Sequence, residues 1–177
     1  MKKSPRIMGI DPSSSKTGWC VGDGQRYLSS GEINLKIARY KDLDAYGRLG
    51  VLGFQLWGLY SIWQPEIVGV EMPRPNRGNQ HTNRVMGASL GIVVTITALF
   101  GCRLITVEPQ HVRATDYHKK APHRVAVLVG EPVAVLKKQL DRCDAVGVWW
   151  YTAGIIKDEW EESPENVARW IALVEGS

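Results

Sequence analysis

A chain of 177 residues with 44% apolar content and seven tryptophans suits one packed domain burying roughly 70% of its unfolded surface, which excludes a disordered tail protein. Its three cysteines, Cys20, Cys102 and Cys143, are odd in number and lack metal-like spacing. That argues against a disulfide framework or a zinc site and for free thiols in a reducing cytoplasm. The net charge of +4 is mild but uneven.

Lys2 and Lys3 lead only into a short strand-like run, not into the long apolar region of a signal peptide. The first strand is predicted over Arg6 to Ile10, the second over Thr17 to Val21, and the third over Gln25 to Ser29. Gly22-Asp23-Gly24 is a hairpin signal, because glycine supplies the positive φ that tight turns need. The first connection, Pro12 to Lys16, is short and polar, so these strands are expected as an antiparallel meander. A long helix is predicted from Tyr40 to Trp63, with Leu49, Leu52, Leu56, Leu59 and Trp63 at three-and-four spacing. Gly47, Gly50, Gly53 and Gly58 lie inside it, a spacing expected to permit close backbone packing.

Pro65 ends that helix and leads into a strand over Ile67 to Glu71. A loop rich in proline and arginine follows (Met72 to His81), then a helix from Thr82 to Phe100 and a strand from Arg103 to Val107. The most apolar part of that helix, Gly91 to Phe100, is too short to span a bilayer. Pro109 to Thr115 is expected to be a short helix and His118 to Pro122 a loop. Arg124 to Val129 is helical, and a last long helix begins at Ala134 or Leu140 and ends at Ala153. Ser163-Pro164-Glu165 has the form of a helix start. Val167, Trp170, Ile171 and Val174 supply its apolar stripe. Residues 1–157 are read as one domain and 158–177 as an acidic extension carrying Asp158, Glu159, Glu161, Glu162 and Glu165. The whole is an α/β fold: a mixed five-stranded sheet, three strands in an antiparallel meander and two parallel, flanked by helices.

Four carboxylates stand out. Asp11 ends the run Ile7-Met8-Gly9-Ile10, and Glu71 ends the run Ile67-Val68-Gly69-Val70. A buried strand has no reason to finish on an unpaired acid, which is costly to desolvate. If the first strand lies beside the Ile67 strand, the two acids meet at the carboxyl edge of the sheet, where sites in such folds gather. Asp141 and Asp144 are one helical turn apart and share a face. Adjacent Arg142, with Lys137 and Lys138, fits a solvated helix face; the apolar context of Leu140, Ala145, Val146, Val148 and Trp149 favours burial and a bound cation. Oxygen-only ligands favour Mg²⁺ or Mn²⁺. Arg74, Arg77 and Arg84 follow Glu71, and Arg103, Arg113, Lys119, Lys120 and Arg124 come later, the grouping expected where a polyanion is held over metal. His81, His111, His118 and His123 are scattered and suit surface or phosphate-contact roles.

Ile10-Asp11-Pro12-Ser13-Ser14-Ser15-Lys16-Thr17-Gly18-Trp19 resembles the opening of RuvC-type Holliday-junction resolvases, members of the ribonuclease H-like superfamily. Val68-Gly69-Val70-Glu71 resembles their second catalytic strand, and Gly87 to Val93 the small-residue helix after it. Val107-Glu108-Pro109 through Val112-Arg113 is similar to the segment after their fifth strand, and Asp141-Arg142-Cys143-Asp144-Ala145 to their paired aspartates. The resemblance covers residues 6 to 154. It implies a ribonuclease H-like fold with Asp11, Glu71, Asp141 and Asp144 as catalytic metal ligands for two Mg²⁺ per active site, Mn²⁺ substituting. Such ions activate water against a phosphodiester and stabilise the leaving oxygen. It implies crossover junction endodeoxyribonuclease activity: paired symmetric nicks in four-way DNA junctions, made by a cytoplasmic homodimer. Lys120 or Lys119 would stand for the family's basic residue beside the scissile phosphate. Arg74, Arg77, Asn79, Arg84, Arg113, Lys119, Lys120 and Arg124 would contact DNA. Pro73-Arg74-Pro75 replaces the aromatic that many relatives carry in the central loop. That departure, the compact length and the tryptophan-rich end suggest a divergent, phage-borne member.

Three rivals remain open from the sequence. A related nuclease acting on flaps, other branched DNA or RNA–DNA hybrid shares the metal site. An actin-like or sugar-kinase phosphate loop would need a second lobe and a glycine where Ser13 stands. A junction-binding protein without activity would have no use for four acids.

Overall fold

A computed structural model describes residues 4–74 and 79–161. Within it, β1 (Arg6–Asp11), β2 (Lys16–Asp23) and β3 (Arg26–Asn34) form the antiparallel meander. The helix α1 (Ala45–Trp63) leads to β4 (Ile67–Glu71), and α2 (Gln80–Leu99) leads to β5 (Arg103–Val107). Three short helices follow, α3 (Pro109–Ala114), α4 (Pro122–Val129) and α5 (Val133–Leu136), before the long α6 (Leu140–Glu161). The sheet order is β3-β2-β1-β4-β5, with β1, β4 and β5 parallel. This is the mixed sheet expected.

Several boundaries differ from the expected ones. The first helix starts five residues late. A short 3₁₀ turn occupies Ala38–Tyr40, and the Asp44 carboxylate accepts from the Gly47 N–H at 2.7 Å to cap α1. Strand β3 runs to Asn34, beyond Ser29, past a register shift at Val21/Gly22. The last helix is split: α5 stops at Leu136, and α6 runs on to Glu161, through the first residues assigned to the acidic extension. The predicted helix after Ser163 lies outside the described residues. Helix α2 starts at Gln80; at 20 residues and a mean hydropathy of 1.3 it is long and apolar enough to cross a membrane, yet it packs on the sheet through Val85, Ser89, Val93, Ile96 and Thr97. The glycines of α1 do not bring it against a neighbouring backbone. A Cβ at Gly50 or Gly58 would meet nothing within 4 Å, and one at Gly53 would only touch Ile92 at 3.5 Å.

Strand alternation divides the core in two. Met8, Ile10, Val68 and Val70 face α1 and α2, packing on Leu52, Leu56, Tyr60 and Val93. Ile7, Cys20 and Ile67 face α6, packing on Val146, Trp149 and Val125. On that second face the α6 backbone rests directly on glycine. A Cβ at Gly18 would overlap the Asp141 carbonyl, and one at Gly9 would lie 2.6 Å from the Ala145 carbonyl oxygen and collide with Trp149. Gly69, beside Gly9 in the ladder, faces the side chains of Thr152 and Val148 instead of the helix backbone. A central strand usually loses stability to glycine; here the missing side chain admits a helix.

Gly9→Ala is therefore expected to lower stability by about 1–3 kcal/mol, the range for forced overpacking. Urea unfolding checks this: a midpoint within error of wild type would contradict the direct contact.

Candidate active site

Alternation puts Asp11 on the α6 face with Ile7 and Gly9, and Glu71 there with Ile67 and Gly69. Ile10 pairs with Val70 in the parallel ladder, so both acids leave the sheet at the same level. Asp144, buried in the second turn of α6, comes down between them. Ligand oxygens of Asp11, Glu71 and Asp144 all lie within 4.8 Å of one another. Asp141 is not part of that group. Its backbone sits on Gly18, and its charge is coupled to Lys119, Asp144 and Asp11 as well as to Lys16 and Glu32.

The cost of this crowding is visible in the proton affinities. Burial, and then the charges of Glu71, Asp144 and Asp141, push the Asp11 carboxyl well above the usual range. Burial and Asp144 push Glu71 up to about 7, against the pull of Lys119, Arg113 and Arg74. Burial also raises Asp141. The Glu71 Oε2 is buried and has no hydrogen-bond partner among the described residues. Three converging carboxylates with a buried orphan oxygen are what a hard divalent cation satisfies, so the residues fit such an ion.

One cation already lies against the group. The Lys119 backbone N–H donates to Asp144 Oδ1 at 2.8 Å, and its ammonium lies 2.6 Å from Asp144 Oδ2. Lys120 does neither; it is exposed, and its N–H donates to His118 Nδ1 at 3.1 Å. Geometry thus separates two lysines that the sequence left equal. Arg113 and His118 line the same cleft as Glu71, Lys119 and Asp144. The Pro12–Lys16 turn uses its own polar groups. The Ser13 N–H donates to Thr17 Oγ1 at 3.1 Å, and Thr17 returns its hydroxyl to the Ser13 carbonyl at 2.8 Å.

The other expected DNA contacts are dispersed. Arg74 and Arg84 are exposed. Arg124 is exposed and ion-paired with Asp116 at 2.6 Å. Asn79 caps α2, its side-chain oxygen accepting from the Thr82 N–H at 2.9 Å. Arg77 lies outside the described residues. His111 stacks on Tyr151 at 4.8 Å between ring centroids. Sequence reasoning missed four charged residues around the acids: Lys16, Glu32, Glu131 and Arg142. Lys16 approaches Glu32 at 3.7 Å. Arg142 is only 5% exposed. The available signal for it was the unbroken apolar pattern of α6, which leaves no solvated face for position 142.

No family model matches the chain. It is 30% identical over 117 residues to the crossover junction endodeoxyribonuclease RuvC of Agrobacterium fabrum, covering 64% of this chain and 66% of that protein. The RuvC of Rhizobium meliloti gives the same identity and coverage. The chain thus spans just under two thirds of the length of these curated relatives. Among solved structures, Thermus thermophilus RuvC in complex with Holliday junction substrate superposes with a TM-score of 0.66 at 19% identity, over 83% of this chain and 91% of that one. The yeast mitochondrial Holliday junction resolvase Ydc2 superposes with a TM-score of 0.58 at 14% identity, over 85% and 79%. Sequence identity and superposition converge: the chain is similar in sequence to the RuvC proteins and shares the fold of the Thermus and yeast resolvases.

Proposed function

We propose that this protein is a divalent-metal-dependent endonuclease that resolves four-way DNA junctions by paired symmetric nicks. The observation that carries the reading is the meeting of Asp11, Glu71 and Asp144 within 4.8 Å in a chain similar in sequence to RuvC. The Thermus relative, solved with a Holliday junction, supports the choice of substrate. Asp11, Glu71 and Asp144 would hold the metal, with Asp141 adding negative charge one helical turn away. Bound Mg²⁺, or Mn²⁺ in its place, would supply an activated water and stabilise the leaving oxygen. Lys119 is the better candidate for the basic residue at the scissile phosphate, since its ammonium already reaches the acids. Arg113 and Lys120 on the rim, with Arg74, Arg84 and Arg124 further out, would hold backbone phosphates and make binding weaken with salt. Such an enzyme works in the cytoplasm.

Two sites are needed for paired nicks, and the far face of the fold supports a homodimer. The groove between α1 and α2 is lined by Gly50, Gly53, Gly91 and Ile92, with Phe54 81% and Trp57 48% exposed at its edge. These glycines, which meet no backbone among the described residues, would admit one from a second copy.

With Mg²⁺ and end-labelled DNA, the protein is expected to nick a four-way junction in symmetric pairs and to spare linear duplex. Asp11→Asn should abolish cutting, Lys119→Ala should lower the rate about 10²-fold, and Lys120→Ala should retain most of it. Phe54→Glu should sediment as a monomer and leave single, unpaired nicks. Preferred cutting of flaps or RNA–DNA hybrid would move the chain to a sister activity with the same site.

The raised Glu71 carboxyl sets a pH dependence. A carboxyl that titrates at about 7 when folded, against about 4.3 when unfolded, keeps its proton longer in the folded chain. It therefore favours the fold below the unfolded value, and that contribution is lost as pH rises toward 7. In EDTA, the melting temperature of wild type relative to Glu71→Gln is expected to fall between pH 4.5 and 7.5. Mg²⁺ should restore it at pH 7.5 and have little effect at pH 5. An unchanged difference across that range would contradict the buried, crowded carboxylate.

A further inference from the structure

Arg142 lies between Asp141 and Asp144 in sequence, in the first turn of α6. A cation there opposes the helix dipole, whose N-terminal end is positive. It is also almost completely buried, a costly place for a charge without close partners. Its guanidinium donates four hydrogen bonds, to groups other than the neighbouring aspartates. Nη2 and Nη1 form a fork on the Glu131 carboxylate at 2.6 and 2.8 Å, and Nη1 also donates to Gln139 Oε1 at 2.9 Å. Nε donates to Ser30 Oγ at 2.8 Å.

These partners come from separate parts of the fold. Ser30 belongs to β3, and its hydroxyl also meets Tyr27 at 3.0 Å. Glu131 follows Gly130, the left-handed cap (φ 72°) that ends α4, and its own N–H returns to the Ala126 carbonyl at 3.1 Å. The planar fork thus ties the start of α6 to the sheet on one side and to the α4–α5 turn on the other. Because Glu131 takes its positive charge, Arg142 does not compete with a metal ion for Asp141 or Asp144.

From this we infer that Arg142 is a positioning residue for the metal-binding acids, acting through Glu131 and Ser30 to fix the first turn of α6. The inference rests on the metal reading of the acidic site. Groups that orient ligands in this way change metal affinity by about 10- to 100-fold when lost. A lysine keeps the charge but cannot make the fork.

The test is Mn²⁺ binding by calorimetry at pH 7.5, without DNA, on the full chain. Arg142→Lys, Arg142→Met and Glu131→Gln are expected to weaken Mn²⁺ about tenfold or more, with helical content retained. Tyr60→Phe, which loses the buried Tyr60–Thr97 hydrogen bond of 2.7 Å on the other side of the sheet, should lower the melting temperature and leave Mn²⁺ affinity unchanged. Unchanged Mn²⁺ affinity in Glu131→Gln and Arg142→Lys would overturn the inference, whatever their melting temperatures. If Arg142→Met does not fold, Glu131→Gln and Ser30→Ala decide the matter by the same criterion. Wild type binding Mn²⁺ no better than Asp11→Asn would overturn the metal reading itself, and the positioning role with it.

Discussion

The direct contact between the α6 backbone and the sheet is the constraint on which the site depends. Gly18 lies under Asp141 and Gly9 under Ala145 and Trp149, at two central strands. Side chains there would hold the helix away by the width of a methyl group or more. The acids would then separate, because Asp11 and Glu71 are fixed to the sheet while Asp144 rides on the helix. Packing energy here is a means of setting distance. Roughly an ångström of play is enough to spoil a ligand set or a reacting geometry.

That closeness creates an electrostatic problem, and the surrounding charges are arranged around it. Asp11, Glu71 and Asp144 crowd together in a buried setting, and burial first, then the neighbouring charges, raises the Asp11 and Glu71 carboxyls. Lys119 relieves part of the strain through Asp144 but is half-exposed on a loop, so it can yield to a stronger cation. Arg142 is the opposite case: rigid, buried and committed to Glu131. One cation sits on the acids and is movable; the other sits behind them and is fixed. Metal-dependent phosphodiester chemistry asks for this division, a negative site that stays negative and a basic group free to meet phosphate.

Much of this was legible in the sequence because strands announce their ends. The runs before Asp11 and Glu71 are apolar to the last residue; their lying side by side was a condition of the reading, and the parallel β1–β4 ladder meets it. Other features needed three dimensions. The three-residue spacing of Asp141 and Asp144 promised a shared face, but the turn of α6 on Gly18 carries only Asp144 into the carboxylate group. Lys119 and Lys120 are equivalent as letters; the loop conformation selects one. The α1 glycines promised close backbone packing, yet among the described residues no neighbouring backbone approaches Gly50, Gly53 or Gly58. The late start of α1 reflects a local competition, in which the Asp44 cap prevailed over the apolar register that began at Tyr40. Arg142 had no role assigned from sequence, because its partner Glu131 lies eleven residues away and only the fold brings the two together.

The most direct test is anomalous diffraction at the manganese edge from crystals of the wild-type protein soaked in Mn²⁺. The account predicts a peak within coordination distance of Asp11, Glu71 and Asp144 oxygens, with Lys119 moved off Asp144. A map without manganese among these carboxylates, with Lys119 still paired to Asp144, would contradict it.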